Sequence, residues 1–491
     1  MRYICIHGHF YQPARENPWS GDVAREDSAL PYHDWNERVT AECYAPNARA
    51  RLMGPGASVV AEVNNYERLS FDFGPTLLGW MERHAPDTYR AVLAADRVGQ
   101  AHFSGHGQAI AQMYNHTIAP LDSDRDRRTQ AVWGIRDFEY RFGRKPEGIW
   151  LAETAVDYKT LEILAGLGIR FTILSPHQAR AVRLLAHSRW QHVDASSLDS
   201  GLPYLVRLES GSSICVFFYD AAVARDVAFG GLLKDGRVLA DRLVAESRTH
   251  ASEPRLLLVA TDGETYGHHH KFGEMALAAC FSKLGSSGVP LTVPAEFLDF
   301  CPPRHEVLIS ENTSWSCPHG VERWRKDCGC STGGHPNWNQ AWRAPLREAM
   351  EMLRDRLAEV YECEAGRFFF DPWQARDDYI EVLLDRSRLE CFLTNHVRGD
   401  GSHFPAVGLL EMQRFMMLAL SSDGWFFDDL SELTAIQVIR CACRAIELCR
   451  QLCGLDLEPE YLHILGQARS NISEFGTGAD IYRRFATRPR T

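Results

Sequence analysis

The amino-acid sequence predicts an α/β barrel followed by an α-helical domain, and three observations carry that prediction. Short apolar runs alternate with longer helical patterns up to about residue 305, the mark of a parallel sheet, open or closed into a barrel. Four of those runs end in polar, chemically capable residues, and α/β barrels gather their active sites where strands end. From about residue 346 the strand-like runs stop and apolar residues recur at helical spacing. The expected division is a catalytic barrel over 1–305, a Trp- and Cys-rich segment over 306–345 that closes the active site, and a helical domain over 346–491.

The strand-like runs are "YICIHGH" (3–9), "SVVAEV" (58–63), "GIWLAE" (148–153), "RFTILSP" (170–176), "SICVFFYD" (213–220) and "RLLLVATD" (255–262). Amphipathic stretches such as "YKTLEILAGLG" (158–168) lie between several of them. The runs deliver His7 and His9, Glu153, Asp220, and Asp262 with Glu264. Core packing gives no reason to end strands in this way. Further on, Leu346, Met350, Leu353, Leu357 and Val360 form one helical stripe, and Ile436, Ile439, Cys443, Ile446, Cys449 and Cys453 another. The cysteines in the second stripe read as small apolar core fillers.

Composition narrows the function classes. The chain has 491 residues, 45% of them hydrophobic and 24% charged, as in an ordinary globular protein. Its 53 basic against 64 acidic residues give a net charge of −11, which disfavours nucleic acid or an anionic membrane as partner. No run approaches the roughly 18 apolar residues of a membrane span. The opening "MRYICIHGHFYQP" enters a strand-like pattern at once, with too short an apolar run for a signal peptide. Fourteen cysteines in such a chain are expected to be reduced thiols, and the expected compartment is the cytoplasm.

The carboxylates at the strand ends carry the chemistry. Glu153 follows Trp150, a pairing that suits a sugar site with an aromatic face against a pyranose; the bland alternative is a carboxylate at a helix N-terminus. Asp262 and Glu264, two apart at a strand end, are expected to point to the same side. Glu153 and Asp262 then suit the two-carboxylate machinery of glycoside cleavage. Glu264, as a neighbouring like charge, is expected to help keep Asp262 protonated. His7 and His9 share a face ahead of Gln12-Pro13 and suit either hydroxyl binding or a metal. A rival reading is therefore a metal-dependent barrel hydrolase, mannosidase- or deacetylase-like, built on His7, His9, Asp262 and His268. In "VATDGETYGHHHKF" (259–272), His268 is the histidine expected to line the site, with His269 and His270 in a solvated turn.

The segment "SWSCPHGVERWRKDCGCSTGGHPNWNQAW" (314–342) is rich in Trp and Cys. Trp315, Trp324, Trp338 and Trp342 are candidate stacking platforms for sugar rings, with some of the four expected to be core. Cys317-x-His319 and Cys328-x-Cys330 offer four ligands of the types zinc takes, but the usual two-residue spacer is missing in both halves. Spacing therefore favours reduced thiols flanking an aromatic wall over a structural zinc, and no metal or cofactor is expected at the active site.

Together these motifs resemble glycoside hydrolase family 57, the second α-amylase-type family. "HGHFYQP" (7–13) is similar to its first motif, His-x-His-Gln-Pro, widened here by two residues. "GQAIAQMYNHTIAPL" (107–121) resembles the second, with Ala109 and Ile110 where many members place a glutamate. "WLAET" (150–154) resembles the third, "FFYDAAVARDVAF" (217–229) a segment placing Asp220 and Asp226 near the site, and "DGETYG" (262–267) the fourth. The Trp- and Cys-rich stretch matches the fifth loosely. The downstream helices resemble a cytoplasmic branch of the family with an added C-terminal helical region.

The resemblance implies a distorted (β/α)7-type barrel and retaining action on α-glucan, as amylase, 4-α-glucanotransferase or branching enzyme. It makes Glu153 the nucleophile and Asp262 the general acid/base, with carboxyls about 5–5.5 Å apart. The implied partner is an α-glucan or maltooligosaccharide. His7, His9, Gln12, His106, Trp150, Asp220, Glu264 and His268 are the candidate substrate contacts from the barrel, joined by Trp315, Trp338 and Trp342. The remaining alternative is a catalytically silent glucan-binding protein.

Overall fold

The computed structural model describes residues 2–247, 253–399 and 404–486. The chain divides into two compact units that interleave in sequence. The first comprises Met1–Gln12, Arg25–Gln112 and Phe138–Glu311; the second comprises Pro13–Ala24, Met113–Asp137 and Asn312–Thr491. Two short segments thus leave the barrel sequence to join the helical unit, an exchange that no composition shift announces.

The first unit is a ring of seven strands: β1 (Arg2–Phe10), β2 (Ser70–Phe73), β3 (Ala111–Gln112), β4 (Ile149–Trp150), β5 (Phe171–Leu174), β6 (Ser213–Phe218) and β7 (Arg255–Asp262). β1 lies between β7 and β2, parallel to both. A parallel bridge from Phe71 to Ala109 leads from β2 to β3, which pairs parallel with β4. A second bridge, Gly148 to Phe171, joins β4 to β5, and β5 runs parallel to β6. The ring closes where the Asp220 N–H, just beyond β6, donates to Leu258 O of β7 at 2.7 Å. The barrel is distorted because two of its strands have only two residues and single contacts bridge three of its joints.

Burial on both faces explains the strands' composition. β1 is buried from Ile4 to Phe10 and β7 from Leu256 to Thr261, as expected where helices cover a parallel sheet. Helix Tyr158–Gly166, over the amphipathic stretch expected to be helical, packs on β6, and helix Ala221–Ala228 packs on β7. A mixed excursion extends outward from β6: Tyr204–Arg207 runs antiparallel to β6 and parallel to His305–Ile309, which continues antiparallel through Ala179–Leu184 to Gln191–His192.

The run at 58–63 corrects the expected strand order. Val59–Val63 is a strand, but it forms an antiparallel hairpin with Ala50–Met53, and Val59 and Val60 are exposed. The second barrel strand is instead the short "SFDF" of β2, buried throughout.

The second unit is helical. In Arg343–Ala365 the predicted stripe is buried at Leu346, Met350, Leu353 and Leu357, and Leu433–Cys453 buries Ile436, Ile439, Cys443, Ile446 and Cys449. Each large apolar side chain taken from water contributes about 1.5–3 kcal/mol. A charge sits inside this unit as well. Arg376, 2% exposed, donates to Asp126 (2.7 Å), Gln413 (2.9 Å) and Thr129 (2.9 Å), tying the 113–137 segment to the later helices. No helix among the described residues is long and apolar enough to cross a membrane.

Candidate active site at the barrel mouth

Strand register builds the site. His9 of β1 pairs in register with Asp262 of β7 on one side and with Asp72 of β2 on the other. Neighbouring parallel strands in register present side chains to the same face, so these three groups lie at one level. The row continues across the barrel, since Gln112 of β3 donates to Asp72 at 2.7 Å and pairs in register with Trp150 of β4. Glu153 follows Trp150 by one short turn. The C-terminal strand ends therefore carry both predicted catalytic carboxylates on one rim.

Asp72, absent from the expected set, organises the floor. It is fully buried and bonds both His7 Nε2 (3.0 Å) and His9 Nδ1 (2.8 Å), while His7 Nδ1 meets Ser70 Oγ at 3.0 Å. Burial alone would depress His9, but Asp72, with Asp262 and Glu264, outweighs it and lifts the imidazole to about 9. His9 is thus a cation at neutral pH. In His7 burial wins over Asp72 and the value falls. Burial pushes the Asp72 carboxyl up, but the two histidines together hold it below the usual range. The only hint in the sequence was the alternation Ser-Phe-Asp-Phe, too short to stand out.

Trp150 is corrected from sugar platform to floor. It is fully buried, with its indole stacked 5.1 Å from His7 and 5.0 Å from His9, so neither histidine ring nor indole offers a free face there.

Glu153 occupies an unusual turn. It and Thr154 both have left-handed backbones, with φ of 56° and 52°. A β-branched residue in this region is a conformational outlier, and such strain collects at functional positions. Gln178 holds the turn: its side-chain oxygen accepts from Thr154 Oγ1 (2.9 Å) and Ser175 N (2.8 Å), and its Nε2 donates to Thr154 O (2.9 Å). Its own main-chain carbonyl accepts from Ser310 N. Gln178 was not among the predicted residues, because nothing local distinguishes a glutamine 25 positions downstream.

Asp262 and Glu264 diverge, which corrects the expectation that they share a side. The strand ends at Asp262 and a tight 3-10 turn over Gly263–Tyr266 breaks the two-residue alternation. Asp262 is exposed, whereas Glu264 is buried and accepts from Tyr44 Oη (2.5 Å) and Tyr11 N (3.1 Å). Burial, assisted by the Asp262 charge, raises Glu264 to about 7 despite the Tyr44 bond. The like-charge effect expected on Asp262 is thus felt at Glu264. Gly263 is required by close approach: a Cβ there would sit 2.3 Å from the Phe10 ring.

The other candidates separate. Asp220 caps helix Ala221–Ala228, accepting from Val223 N at 2.9 Å, and Gln12 is half-buried at the end of the first-unit segment. His268 is half-buried, with Nδ1 engaged by Glu42 at 2.5 Å and its ring edge-on to Trp35. His269 is exposed in the turn, as expected, whereas His270 is half-buried and its Nε2 donates to Ala228 O at 2.7 Å. His106 is corrected outright. It bonds Glu147 (2.8 Å) and Asp299 (2.9 Å) near the start of β4, at the end of the barrel opposite the carboxylates. The metal-dependent alternative needed His7, His9, Asp262 and His268 to converge; His7 and His9 are instead spent on Asp72, and His268 on Glu42.

Within the second unit, Trp342 and Trp324 are corrected from stacking platforms to core. They are 1% and 0% exposed, and Trp342 Nε1 donates to Asp428 O. Trp315 and Trp338 are partly exposed, and Trp338 stacks on His335 at 3.7 Å. The spacing that argued against a metal at Cys317, His319, Cys328 and Cys330 is overridden by the fold: their ligand atoms all lie within 4.8 Å of one another.

Comparison with known proteins agrees with this fold. Residues 338–490 match a domain of unknown function, DUF3536, and residues 71–310 match the glycosyl hydrolase family 57 model. Alpha-amylase 1 of Dictyoglomus thermophilum is 25% identical over 107 residues, or 22% of this chain and 15% of that protein. The chain thus spans about a seventh of the length of this curated relative. An exo-type maltose-forming amylase from Pyrococcus sp. ST04 has the same fold at 15% identity and a TM-score of 0.70, covering 98% of this chain and 88% of that one. A branching enzyme from Pyrococcus horikoshii is similar at 16% identity and a TM-score of 0.57, covering 98% and 94%. The part of the chain similar to glycosyl hydrolase family 57 is thus its barrel, over residues 71–310.

Proposed function

We propose that this protein is a retaining glycosidase or transglycosidase acting on α-1,4-linked glucan. The observation that carries the reading is the shared rim: β4 leads into Glu153 and β7 ends in Asp262, on either side of the His9–Asp72 row. Glu153 attacks the anomeric carbon while the protonated Asp262 donates to the leaving oxygen. The Asp262 carboxylate then takes a proton from the incoming water or sugar hydroxyl, which displaces Glu153 with net retention. His9, held cationic by Asp72, supplies positive charge at the rim beside Asp262. Glu264 is buried with its Oε1 accepting from Tyr44 and the Tyr11 amide, which fixes it beneath Asp262 where it shapes the field. The named activities of the amylase and branching-enzyme relatives support glucan as the substrate class.

The test is incubation with maltooligosaccharides and amylose, with products resolved by size and linkage and the first anomer followed by NMR. Retention is expected, with turnover abolished in Glu153→Gln and Asp262→Asn. Inverted product, or full activity in either variant, refutes the assignment. Glucan binding by the wild type without any change in chain length identifies a silent binding protein instead.

A further inference from the structure

We propose that Cys317, His319, Cys328 and Cys330 form a structural zinc site in the second unit. The distances carry it. Cys317 Sγ lies 3.9 Å from Cys328 Sγ and 3.7 Å from Cys330 Sγ, and Cys330 Sγ lies 3.6 Å from His319 Nδ1. A tetrahedral zinc with Zn–S bonds of about 2.3 Å and Zn–N of about 2.0–2.1 Å sets sulfurs ~3.8 Å apart and sulfur to nitrogen ~3.6 Å apart. A disulfide would need about 2.05 Å, and three thiols leave one unpaired in any case. The geometry is that of four ligands around one small cation.

The local chain is folded to hold the four atoms. Cys317 O accepts from Gly320 N at 3.0 Å, so Cys-Pro-His-Gly is a turn that brings His319 back beside Cys317. Gly329, at φ +80°, reverses the chain between Cys328 and Cys330, a conformation that a residue with a Cβ resists. These two turns do what the missing two-residue spacers ordinarily do, which explains how the ligands converge despite their spacing.

The surroundings suit the charge. Three thiolates, one neutral imidazole and Zn²⁺ carry a net charge of minus one, and forming the site releases the thiol protons. Arg343, fully buried, donates to Cys330 O at 2.9 Å and to Phe427 O at 3.1 Å. Arg323, 5% exposed, donates to Phe426 O at 2.8 Å. Two guanidinium groups thus lie beside the cluster and tie it to the 426–428 turn. Thr332, two residues beyond the last ligand, bonds Asp428 through both N (2.7 Å) and Oγ1 (2.5 Å). With four protein ligands and no open position, the site is structural: it staples the stretch that carries Trp315 and Trp338, which otherwise has little regular structure.

The experiment reads metal and thiols in the full chain, independently of glucan turnover. Protein expressed with added zinc and purified without chelator is analysed for metal, then alkylated before and after chelation with the modified cysteines mapped by mass spectrometry. One zinc per chain is expected, with Cys317, Cys328 and Cys330 alkylated only after chelation, while exposed Cys363 reacts in both states. Cys328→Ser and Cys330→Ser should each lose at least ~10-fold in zinc affinity. Because those variants can misfold, His319→Cys is the second probe. It should keep the metal and strengthen the thiolate-to-cobalt charge-transfer band when cobalt replaces zinc. Metal-free wild-type protein, iron in place of zinc, a Cys317 disulfide, equal alkylation in both states, or an unchanged cobalt band overturns the assignment.

Discussion

Replacing Gln178 by methionine should uncouple the strained turn at Glu153 from the scaffold that holds it. The substitution nearly conserves volume but removes the two bonds accepted by the side-chain oxygen and the one donated by Nε2. Neutral buried bonds contribute about 1 kcal/mol each, so the set contributes about 3 kcal/mol, and more if the Thr154 and Ser175 groups are left unpaired. Against this stands the left-handed backbone of Glu153 and Thr154, which costs roughly 1–2 kcal/mol per residue. The two sums are comparable, so without Gln178 the turn relaxes and Glu153 leaves its attack position. Urea unfolding should show a loss of about 3 kcal/mol. Steady-state kinetics on maltooligosaccharides should show kcat down about 100-fold, the cost of an ångström-scale misplacement, with KM little changed. Adding Thr154→Gly should recover about 1–2 kcal/mol of stability without recovering rate. A stability loss with kcat unchanged would show that Gln178 supports the fold but does not position the nucleophile.

Two further outcomes follow from buried charges. His9 is raised from 6.5 to about 9, so its stabilisation is complete below pH 6.5 and is lost as pH rises through 9. Wild type should therefore lose roughly 2 kcal/mol between pH 7.5 and 9.5, and Asp72→Asn should flatten that limb; equal slopes in urea titrations would refute the coupling. In the helical unit, Asp126→Ala strands the buried Arg376 and should cost about 3–5 kcal/mol, read as a fall in thermal and urea midpoints; a change under 1 kcal/mol would mean that Gln413 and Thr129 suffice.

Much of the candidate rim was legible because each strand announces its own end. An apolar run followed by Glu153 or Asp262 needs only local pattern, and so do the stripes of the two long helices. The misassigned groups failed for one shared reason: a residue's type does not reveal what lies across from it. Trp150 and Trp342 read as sugar platforms because indoles stack on pyranoses, but both are covered by their own unit. His106 sits beside a catalytic motif in sequence and at the opposite end of the barrel in space, since the strand that follows it carries the chain from one end to the other. Glu264 was expected beside Asp262 by alternation, and the 3-10 turn at Gly263 cancelled that alternation.

By itself, the sequence determined the α/β-then-helical order, the family resemblance and the two carboxylates, all encoded in short-range periodicity and residue type. Tertiary structure decided the rest: that seven strands close into a ring, that Asp72 makes His9 a cation, and that Gln178 holds the Glu153 turn. It also decided that four poorly spaced Cys and His side chains meet, with their sulfur and nitrogen atoms within 4.8 Å of one another. These outcomes depend on partners tens to hundreds of residues apart, and pairing over such separations is set by packing and register, which local pattern does not carry.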